Sequence, residues 1–500
     1  MKQNFIFLSI LVMLVSCSKI ESINQNIDDQ ITMIDLTEEE LQSIMYDNDI
    51  ELSEESVIQN TIEFFKQLNL ATQTKNTDDC SVSIVNKAVL GAEKTTKSND
   101  ESDQISVYTL DVKSNGTNYY VIASGDRRSP GVIASFEDYP TDPIKARNLI
   151  NSNNAIAMLT LAKKQLICDV QEIEDIRDEL REKTINKICK ELNILRENYD
   201  FKAISPYINH NNILTKNHGG VQMPSEQVIT MKGPMSGILW EQYKPYNRAC
   251  PEGNILIDLG GYAFIETGNV PAGCVTIACM NIEACLESPN IGGYLMDWDY
   301  YKEEETLFEA VAGQTGGTPQ ILLERAGNAI RHIYDQLGSF SLYDTYDGMQ
   351  YVQATATYNG SNYIKSRFNY ENHQTFDPDV VLSSLNANKP VYVSGTVQGT
   401  HVGSDEHTSD GHAYVIDGYI ICKKATSTNS SIDQKVETRS TIVQYYDMYW
   451  HINLGWGEGS SAYFKLESDA TCTPELVDKY GRENLVLLTT SQIISHISSK

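Results

Sequence analysis

The sequence is poor in basic residues, and this shortage excludes whole classes of partner. Its 39 lysines and arginines stand against 67 aspartates and glutamates, which gives a formal net charge of −28 over 500 residues. A surface that binds nucleic acid or anionic lipid needs a basic face, which such a chain does not supply. We therefore expect no nucleic-acid partner, and we interpret the acidic excess as a solubility feature.

Long hydrophobic runs are also missing, so no transmembrane helix is predicted. Residues 5–15 form an apolar segment behind Lys2, too short for a bilayer, which needs about 20 residues. The segment leads into Leu-Val-Ser-Cys at residues 14–17, which resembles a bacterial lipobox. We predict a lipoprotein signal peptide over residues 1–16 and a lipid anchor on Cys17, with an ordinary secretory signal as the alternative. The expected location is the bacterial cell envelope, at the outer membrane or cell surface, with release after processing.

Metal-binding cysteine patterns are absent from the sequence. The ten cysteines contain no CxxC pair and no zinc-ligand spacing, and no disulfide pairing follows from their positions. The run at residues 401–412 is rich in His and acidic side chains but matches no HExxH pattern, so we interpret it as a polar loop. Cys279 and Cys285 are interpreted as buried small hydrophobic residues. We predict no metal and no cofactor.

Five hundred residues are too many for one hydrophobic core, so several domains are expected. After the signal peptide we predict an acidic N-terminal segment (17–104), a domain over residues 105–204, a linker suited to a processing cut (205–237) and a C-terminal domain (238–492). The linker prediction depends on frequent Asn, His, Gly and Pro and on the loss of periodicity.

Hydrophobic periodicity indicates helices in the first part of the C-terminal domain and strands later. Upstream of it, the pattern predicts a hairpin over 107–124 and helices over 55–68 and 170–196. Further helices are predicted over 275–286, 320–337 and 378–385, and strands over 390–395, 412–422, 442–453 and 462–466. Helices followed by antiparallel strands are typical of the α+β class.

Two short motifs carry the chemistry. Cys274, in Gly-Cys-Val-Thr at 273–276, follows a proline-containing turn and opens a predicted helix, where a thiolate is favoured and backbone N–H groups can stabilise an oxyanion. His412, in GHAYVIDG at 411–418, lies on a predicted strand between small residues. A thiol and an imidazole far apart in sequence are the two halves of a nucleophile and base that meet in the fold.

Two further strings complete the candidate site. Asn453 and Trp456, in NLGWGEG at 453–459, are predicted to orient His412 and to shield it from water, since an Asn side-chain oxygen accepts from Nδ1–H of an imidazole. Gln242, in WEQYKPYN at 240–247, is predicted as an oxyanion donor. His451 is an alternative base, although its bulky neighbours suit packing better.

In order and spacing, these strings resemble the streptopain family of bacterial cysteine proteases, which carry GCVAT, GHAFVIDG and HVNWGWGG. Upstream, YVIASGDRRSP at 120–130 resembles the VIVSGDKRSP segment of the family's propeptide. The resemblance covers about residues 105–490. It implies a papain-like fold, with a helical part and an antiparallel sheet, preceded by an α+β inhibitory prodomain. It also implies a cysteine endopeptidase made as a self-inhibited zymogen, with proteins and peptides as substrates and its own propeptide as inhibitor.

The sequence departs from the family pattern in three places. Leu454 replaces a Trp that follows the Asn in the family, the loop before His412 is longer and more acidic, and residues 423–440 form an insertion. Leu454 supports an alternative function: an inactive, protease-like module that binds or inhibits at the cell surface. Acyl transfer such as transglutamination would use the same Cys-His chemistry, and the sequence does not separate it from hydrolysis.

Overall fold

The computed structural model of the chain describes residues 33–46, 50–71, 80–90, 105–137, 153–208, 215–217, 220–222, 227–258, 263–303, 318–373, 375–400, 407–423, 446–457, 461–466 and 487–500. The predicted signal peptide, the anchor at Cys17 and most of the polar loop before His412 lie outside these residues. Among the helices that are described, none is long and apolar enough to cross a membrane.

The described elements are helices and antiparallel strands, so the predicted α+β class is confirmed. The helices are α1 (Glu38–Met45), α2 (Glu54–Ala71), α3 (Asn153–Glu191), α4 (Phe201–Ile204), α5 (Cys274–Cys285), α6 (Trp298–Glu303), α7 (Thr318–Gln336), α8 (Asn362–Arg367) and α9 (Pro378–Asn386). The strands are β1 (Cys80–Leu90), β2 (Ile105–Ser114), β3 (Thr117–Ser124), β4 (Gly131–Glu137), β5 (Thr215–Asn217), β6 (Gly220–Gln222), β7 (Gln227–Lys232), β8 (Glu252–Asp258), β9 (Ala263–Asn269), β10 (Asn290–Ile291), β11 (Tyr294–Leu295), β12 (Ser339–Tyr346), β13 (Met349–Thr357), β14 (Phe368–His373), β15 (Val391–Thr400), β16 (His407–Lys423), β17 (Tyr446–Asn453), β18 (Ser461–Lys465) and β19 (Leu487–Ser499).

The chain divides into two compact units, and the smaller one contains the described residues of 33–50 and 171–222. Its α1 begins with a capping box, in which the Thr37 side chain and the Glu40 side chain each accept from the other residue's backbone N–H. Ser43 of α1 donates a hydrogen bond to Thr184 of α3 at 3.2 Å, and Lys187 pairs with Glu40. The core of this unit contains Ile34, Leu41, Ile44, Ile185, Ile188, Cys189, Phe201, Ile204 and Ile208.

The larger unit is built on one 11-stranded antiparallel sheet among the described strands. The order is β1-β2-β3-β4-β18-β17-β16-β15-β19-β14, and β7 pairs with β16 outside this path. The hairpins β8–β9 and β12–β13 form separate two-stranded sheets. Strand β16 is therefore central, with β15 and β17 on its two sides.

Alternate residues of β16 enter different cores, because successive side chains of a strand point to opposite faces. Tyr414 and Ile416 belong to a core shared with α3 and α9, whereas Ala413 and Val415 pack in the core that contains α5 and α7. Residue 412 is on the Tyr414 face by this alternation. Because side chains of β16 pack in cores on both faces of the strand, the backbone at His412 is held in place.

Two predicted boundaries differ from those observed. Helix α3 begins at Asn153 rather than near residue 170, and Leu159, Ala162, Leu166 and Val170 of its N-terminal half continue the apolar stripe into the larger unit's core. The end of the predicted linker, residues 227–232, is strand β7, whose Val228 and Met231 pack on a hydrophobic cluster.

Cys168, on α3, is disulfide-bonded. The free cysteines of the described chain are Cys80, Cys189, Cys250, Cys274, Cys279, Cys285 and Cys422.

Candidate active site

Cys274 is the first residue of α5, at the position predicted from the sequence. Gly273 before it is the N-cap, with a φ of 89°, a backbone conformation that favours glycine. A Cβ on Gly273 would also meet Thr355 of β13 at 3.2 Å. Thr355 in turn donates a hydrogen bond to Pro271 O at 2.6 Å. The turn before Cys274 is therefore held by the β12–β13 hairpin, and its backbone strongly disfavours a side chain at residue 273.

The Cys274 thiol is partly buried beside β16. Burial raises the pKa of Cys274, while backbone hydrogen bonds from Ala413 and Val275 act in the opposite direction. Because Ala413 directly follows His412, the thiol lies against the strand segment that carries the imidazole. With its pKa raised, Cys274 is in the thiol form rather than the thiolate form at neutral pH.

His412 is almost fully buried, with 5% of its surface exposed. Burial lowers the pKa of His412 to about 3, so the imidazole is neutral at pH 7. The ring lies 6.2 Å from the Tyr414 ring and 6.4 Å from the indole of Trp456, measured between centroids. Its Nε2 is buried and makes no hydrogen bond within the described residues. The imidazole therefore has an unpaired nitrogen, but its lowered pKa makes it a weak base in this buried state.

Gln242 is also buried, with 7% exposure, and its side-chain Nε2 makes no hydrogen bond within the described residues. Its backbone oxygen accepts from Ala272 N at 2.8 Å, which ties it to the turn before Cys274. Leaving a buried amide donor unpaired costs about 1–3 kcal/mol. Such a donor next to a nucleophile is available to a developing oxyanion.

Asn453 does not contact His412 in this arrangement. Its Nδ2 donates to Ile238 O at 3.0 Å, and its Oδ1 accepts from Gly455 N at 3.0 Å. In the β16–β17 register Asn453 is opposite Val415, which is on the other face of β16 from His412. Asn453 therefore holds the segment before Trp240 and the turn after β17.

Trp456, by contrast, does lie near His412. The turn that carries it depends on Gly455, where φ is 71° and a Cβ would approach Ile277 of α5 to 2.9 Å. Leu454, at the position of the family's first Trp, is 1% exposed and belongs to the core on the His412 side of the sheet. Trp456 is thus the aromatic neighbour of the imidazole on this turn.

His451 is engaged in a buried ion pair rather than available as a base. Its Nδ1 is 2.5 Å from Asp417 Oδ1, and its Nε2 is 4.0 Å from Glu137 Oε2. Burial favours the neutral form of both partners, but the attraction between them outweighs it: the pKa of His451 is raised and that of Asp417 is lowered. Asp417 Oδ2 also accepts from Ser236 N at 2.9 Å.

This pair was missed in the sequence, although Asp417 belongs to the GHAYVIDG string. The backbone oxygen of Asp417 accepts a hydrogen bond from Met235 N at 3.1 Å. Asp417 and Asn453 therefore hold residues 235–238, just before Gln242. Because the pairing depends on the β16–β17 register, which shifts between Ile416 and Gly418, no local sequence signal reveals it.

The chemistry open to this site follows from three groups: a thiol at a helix start, a neutral imidazole and an unpaired amide donor. Transfer of the thiol proton to the imidazole would create a thiolate beside N–H donors, which is the requirement for attack on a carbonyl. Among the described residues, no cluster of His, Cys, Asp and Glu could hold a metal ion. The arrangement is compatible with a thiol-dependent peptidase.

The comparison with protein families agrees with this class. Residues 240–464, in the C-terminal part of the chain, match the model of the Peptidase C10 family, which is the streptopain family. The resemblance found in the motifs is thereby confirmed, and the family supports peptidase activity. No curated protein and no solved structure matches the chain significantly.

Proposed function

We propose that the protein is a cysteine endopeptidase in which Cys274 is the nucleophile and His412 the general base and acid. The observation that carries this proposal is the placement of Cys274 at the start of α5, against the backbone of Ala413, with His412 Nε2 and Gln242 Nε2 buried and unpaired. Buried groups of this kind are costly unless substrate or transition state pairs with them. Family membership over residues 240–464 supports the same reaction class.

In the proposed reaction the Cys274 proton passes to His412 as the sulfur attacks the peptide carbonyl. Gln242 and the backbone N–H of Cys274 stabilise the oxyanion. His412 then donates the proton to the leaving amine, and water hydrolyses the thioester. Trp456 shields the imidazole from water, and Asn453 positions the segment that leads to Gln242. The reaction needs reduced Cys274 and no cofactor.

We also propose that the enzyme is exported to the bacterial cell envelope, anchored through lipidated Cys17 and made as a zymogen. The lipobox-like sequence at 14–17 supports the anchor. The propeptide-like string at 120–130 supports the zymogen, in which residues 105–204 inhibit the site until a cut within 205–237. Protein and peptide chains are the substrates.

The direct test of the proposed function combines casein cleavage with covalent labelling. Purified residues 18–500 under reducing conditions should cleave unfolded casein, and a thiol-directed epoxide should stop the cleavage. Mass spectrometry should place the label on Cys274 and not on Cys279, which lies on the same helix, is fully buried and has a raised pKa. Cleavage that persists while Cys274 is fully labelled would refute the assignment.

Gln242→Ala should lower kcat about 100- to 1,000-fold with little change in KM, because an oxyanion donor acts mainly in the transition state. The matched control is Gln320→Ala on α7, whose amide lies at the surface 3.4 Å from Glu324 Oε1. Steady-state kinetics on a fluorogenic peptide measures both. A loss confined to KM would assign Gln242 to substrate binding instead.

A further inference from the structure

The hairpin β12–β13 begins beside the turn that carries Cys274. At its base, Thr355 of β13 lies against Gly273. In the register of the hairpin Thr355 is opposite Ser341, and the two strands run on from this pair to a tip at residues 347–348. Because a strand rises about 3.3 Å per residue, the tip lies about 20 Å further along the strands than Thr355.

The outer half of the hairpin is apolar and exposed. Tyr343 is 58% exposed and Met349 is 52% exposed, and Leu342 and Tyr346 are exposed as well. Large apolar side chains that lie together at the surface commonly mark a site of contact with another molecule, because it is unfavourable to leave them in water. The contact of Thr355 with Gly273 uses only the inner end of the hairpin, so it does not account for the outer half.

Strand β12 also has an open edge. Among the described strands, β12 pairs with β13 alone. An open edge presents backbone N–H and C=O groups that can pair with another extended chain. Recognition of a peptide by strand addition uses such an edge for affinity and the neighbouring side chains for selectivity. The hairpin therefore suits an extended, unfolded polypeptide better than a folded surface.

The charge of the hairpin distinguishes among unfolded chains. Residues 339–357 contain Asp344 and Asp347 and no Lys or Arg. The whole chain has a formal net charge of −28, so acidic segments are repelled and basic segments are attracted. A segment that combines apolar side chains with Lys or Arg is therefore the favoured occupant.

Tyrosine side chains connect the hairpin with the candidate oxyanion donor. Within the hairpin, Tyr351 OH donates to Asp344 Oδ2 at 3.4 Å. Burial raises the pKa of Tyr243, and the nearby Glu241 and Tyr351 raise it further. Tyr243 is partly exposed and directly follows Gln242 in the chain. The surface that leads from Gln242 to the hairpin is therefore aromatic and acidic, like the hairpin itself.

We propose that the hairpin β12–β13 is a substrate-docking arm, which binds an extended, apolar and basic segment of an unfolded protein and brings neighbouring peptide bonds to Cys274. The edge of β12 and the exposed apolar side chains supply the affinity, and the two aspartates supply the preference for Lys or Arg. This inference rests on the proposed function, because it names the substrate class of the same site.

The first test compares peptides of different length and charge. A sequence that the enzyme cleaves in casein, found by mass spectrometry of the fragments, is made as a short fluorogenic peptide. A long peptide extends it on both sides by about ten residues, apolar and lysine-containing, which reach about 33 Å when extended. For residues 18–500, the KM of the long peptide should be about 10-fold lower than that of the short one, with similar kcat, because remote contacts bind substrate and transition state equally. Replacement of its Lys by Glu should abolish most of this advantage.

Tyr343→Ser combined with Met349→Ser removes exposed apolar surface and leaves Thr355 at the base in place. This variant should raise the KM of the long peptide to that of the short one and leave the kinetics on the short peptide unchanged. The matched control, Tyr294→Ser with Leu295→Ser, removes exposed apolar side chains from β11 and should change neither. A KM advantage that persists in the hairpin variant overturns the proposal, and so does an equal loss on both peptides. Equal KM values for the Lys and Glu peptides overturn the charge preference.

Direct binding separates this inference from the proposed function. The anisotropy of a fluorescent long peptide, titrated with Cys274→Ala, should show about 10-fold weaker binding once Tyr343→Ser and Met349→Ser are added. Equal binding with and without these two substitutions overturns the proposal. Absence of cleavage of every peptide by the wild type refutes the proposed function instead, and the binding comparison still decides on the arm. A wild-type dimer, measured by light scattering, that becomes a monomer in the hairpin variant would assign the hairpin to self-association and overturn the proposal.

Discussion

Cys274→Ala should reduce casein cleavage to background, a loss of at least about 1,000-fold, with no loss of folded protein. The side chain of the proposed nucleophile is removed, whereas the α5 N-terminus, Gly273 and the neighbouring Thr355 remain in place. Removal of a partly buried sulfur changes packing only slightly. The measurements are casein cleavage over a long incubation and the urea midpoint of both proteins.

Cys279→Ala is the control for this result. Cys279 is on the same helix and fully buried, and burial raises its pKa far above the usual range. The control should retain most of the activity and lose some stability, because it leaves a small cavity in the core. Equal loss of activity in both variants would indicate a damaged helix and not a missing nucleophile. Unchanged cleavage by Cys274→Ala would remove Cys274 from the mechanism.

Asp417→Asn should lower the free energy of unfolding by about 3–5 kcal/mol, because it leaves His451 buried without its charged partner. His451 is 2% exposed and Asp417 is 0% exposed, so solvent does not replace the lost interaction. If the Asn oxygen keeps accepting from Ser236 N, the Asn NH2 group faces His451 Nδ1, so the substitution removes both the charge and the acceptor that pairs with His451. Asp335→Asn is the matched control, since Asp335 pairs with Arg331 at the surface of α7 and should contribute less than about 1 kcal/mol.

The pH dependence of this difference follows from the two pKa shifts. The pKa of Asp417 is lowered in the folded protein. Its contribution to the free energy of unfolding is therefore present above the pKa of the unfolded state, about 4, and is lost as the pH falls through the pKa of the folded state. The pKa of His451 is raised in the folded protein. Its contribution to the free energy of unfolding is therefore present below the pKa of the unfolded state, about 6.5, and is lost as the pH rises through the pKa of the folded state. The free energies of unfolding of the wild type and Asp417→Asn, measured in urea, should therefore differ most between about pH 4 and 6.5. A difference that stays constant from pH 3 to 9 would contradict an ion pair.

Much of the site was predictable because each motif indicates the local backbone structure around its residues. Cys274 opens a helix, and His412 lies on a strand between two small residues, as predicted. Helix α7 follows its apolar stripe, and α9 begins at the predicted proline. These features depend on neighbours in sequence. Their relative position in space is a matter of tertiary packing, which the motifs implied only through resemblance.

The features that escaped prediction depend on distant partners. The hairpin β12–β13 exposes Leu342, Tyr343 and Met349, so its strands lack the alternation of a half-buried sheet. Asn453 was expected at His412, but β17 faces Val415 at that point, and the side chain binds Ile238 and Gly455 instead. A one-residue difference in register moves a side chain to the other face, which no single-strand pattern reveals.

The pairing of β4 with β18 has a consequence for the order in which the chain can fold. Phe136 and Ala462 are partners although about 330 residues separate them. During synthesis, β4 emerges long before β18 has been made, and until then β4 presents an open edge that can pair with other chains. Loop closure over such a distance is slow. Folding of the larger unit is therefore complete only after the C-terminal strands have been synthesised. A chain truncated before β18 should be prone to aggregation.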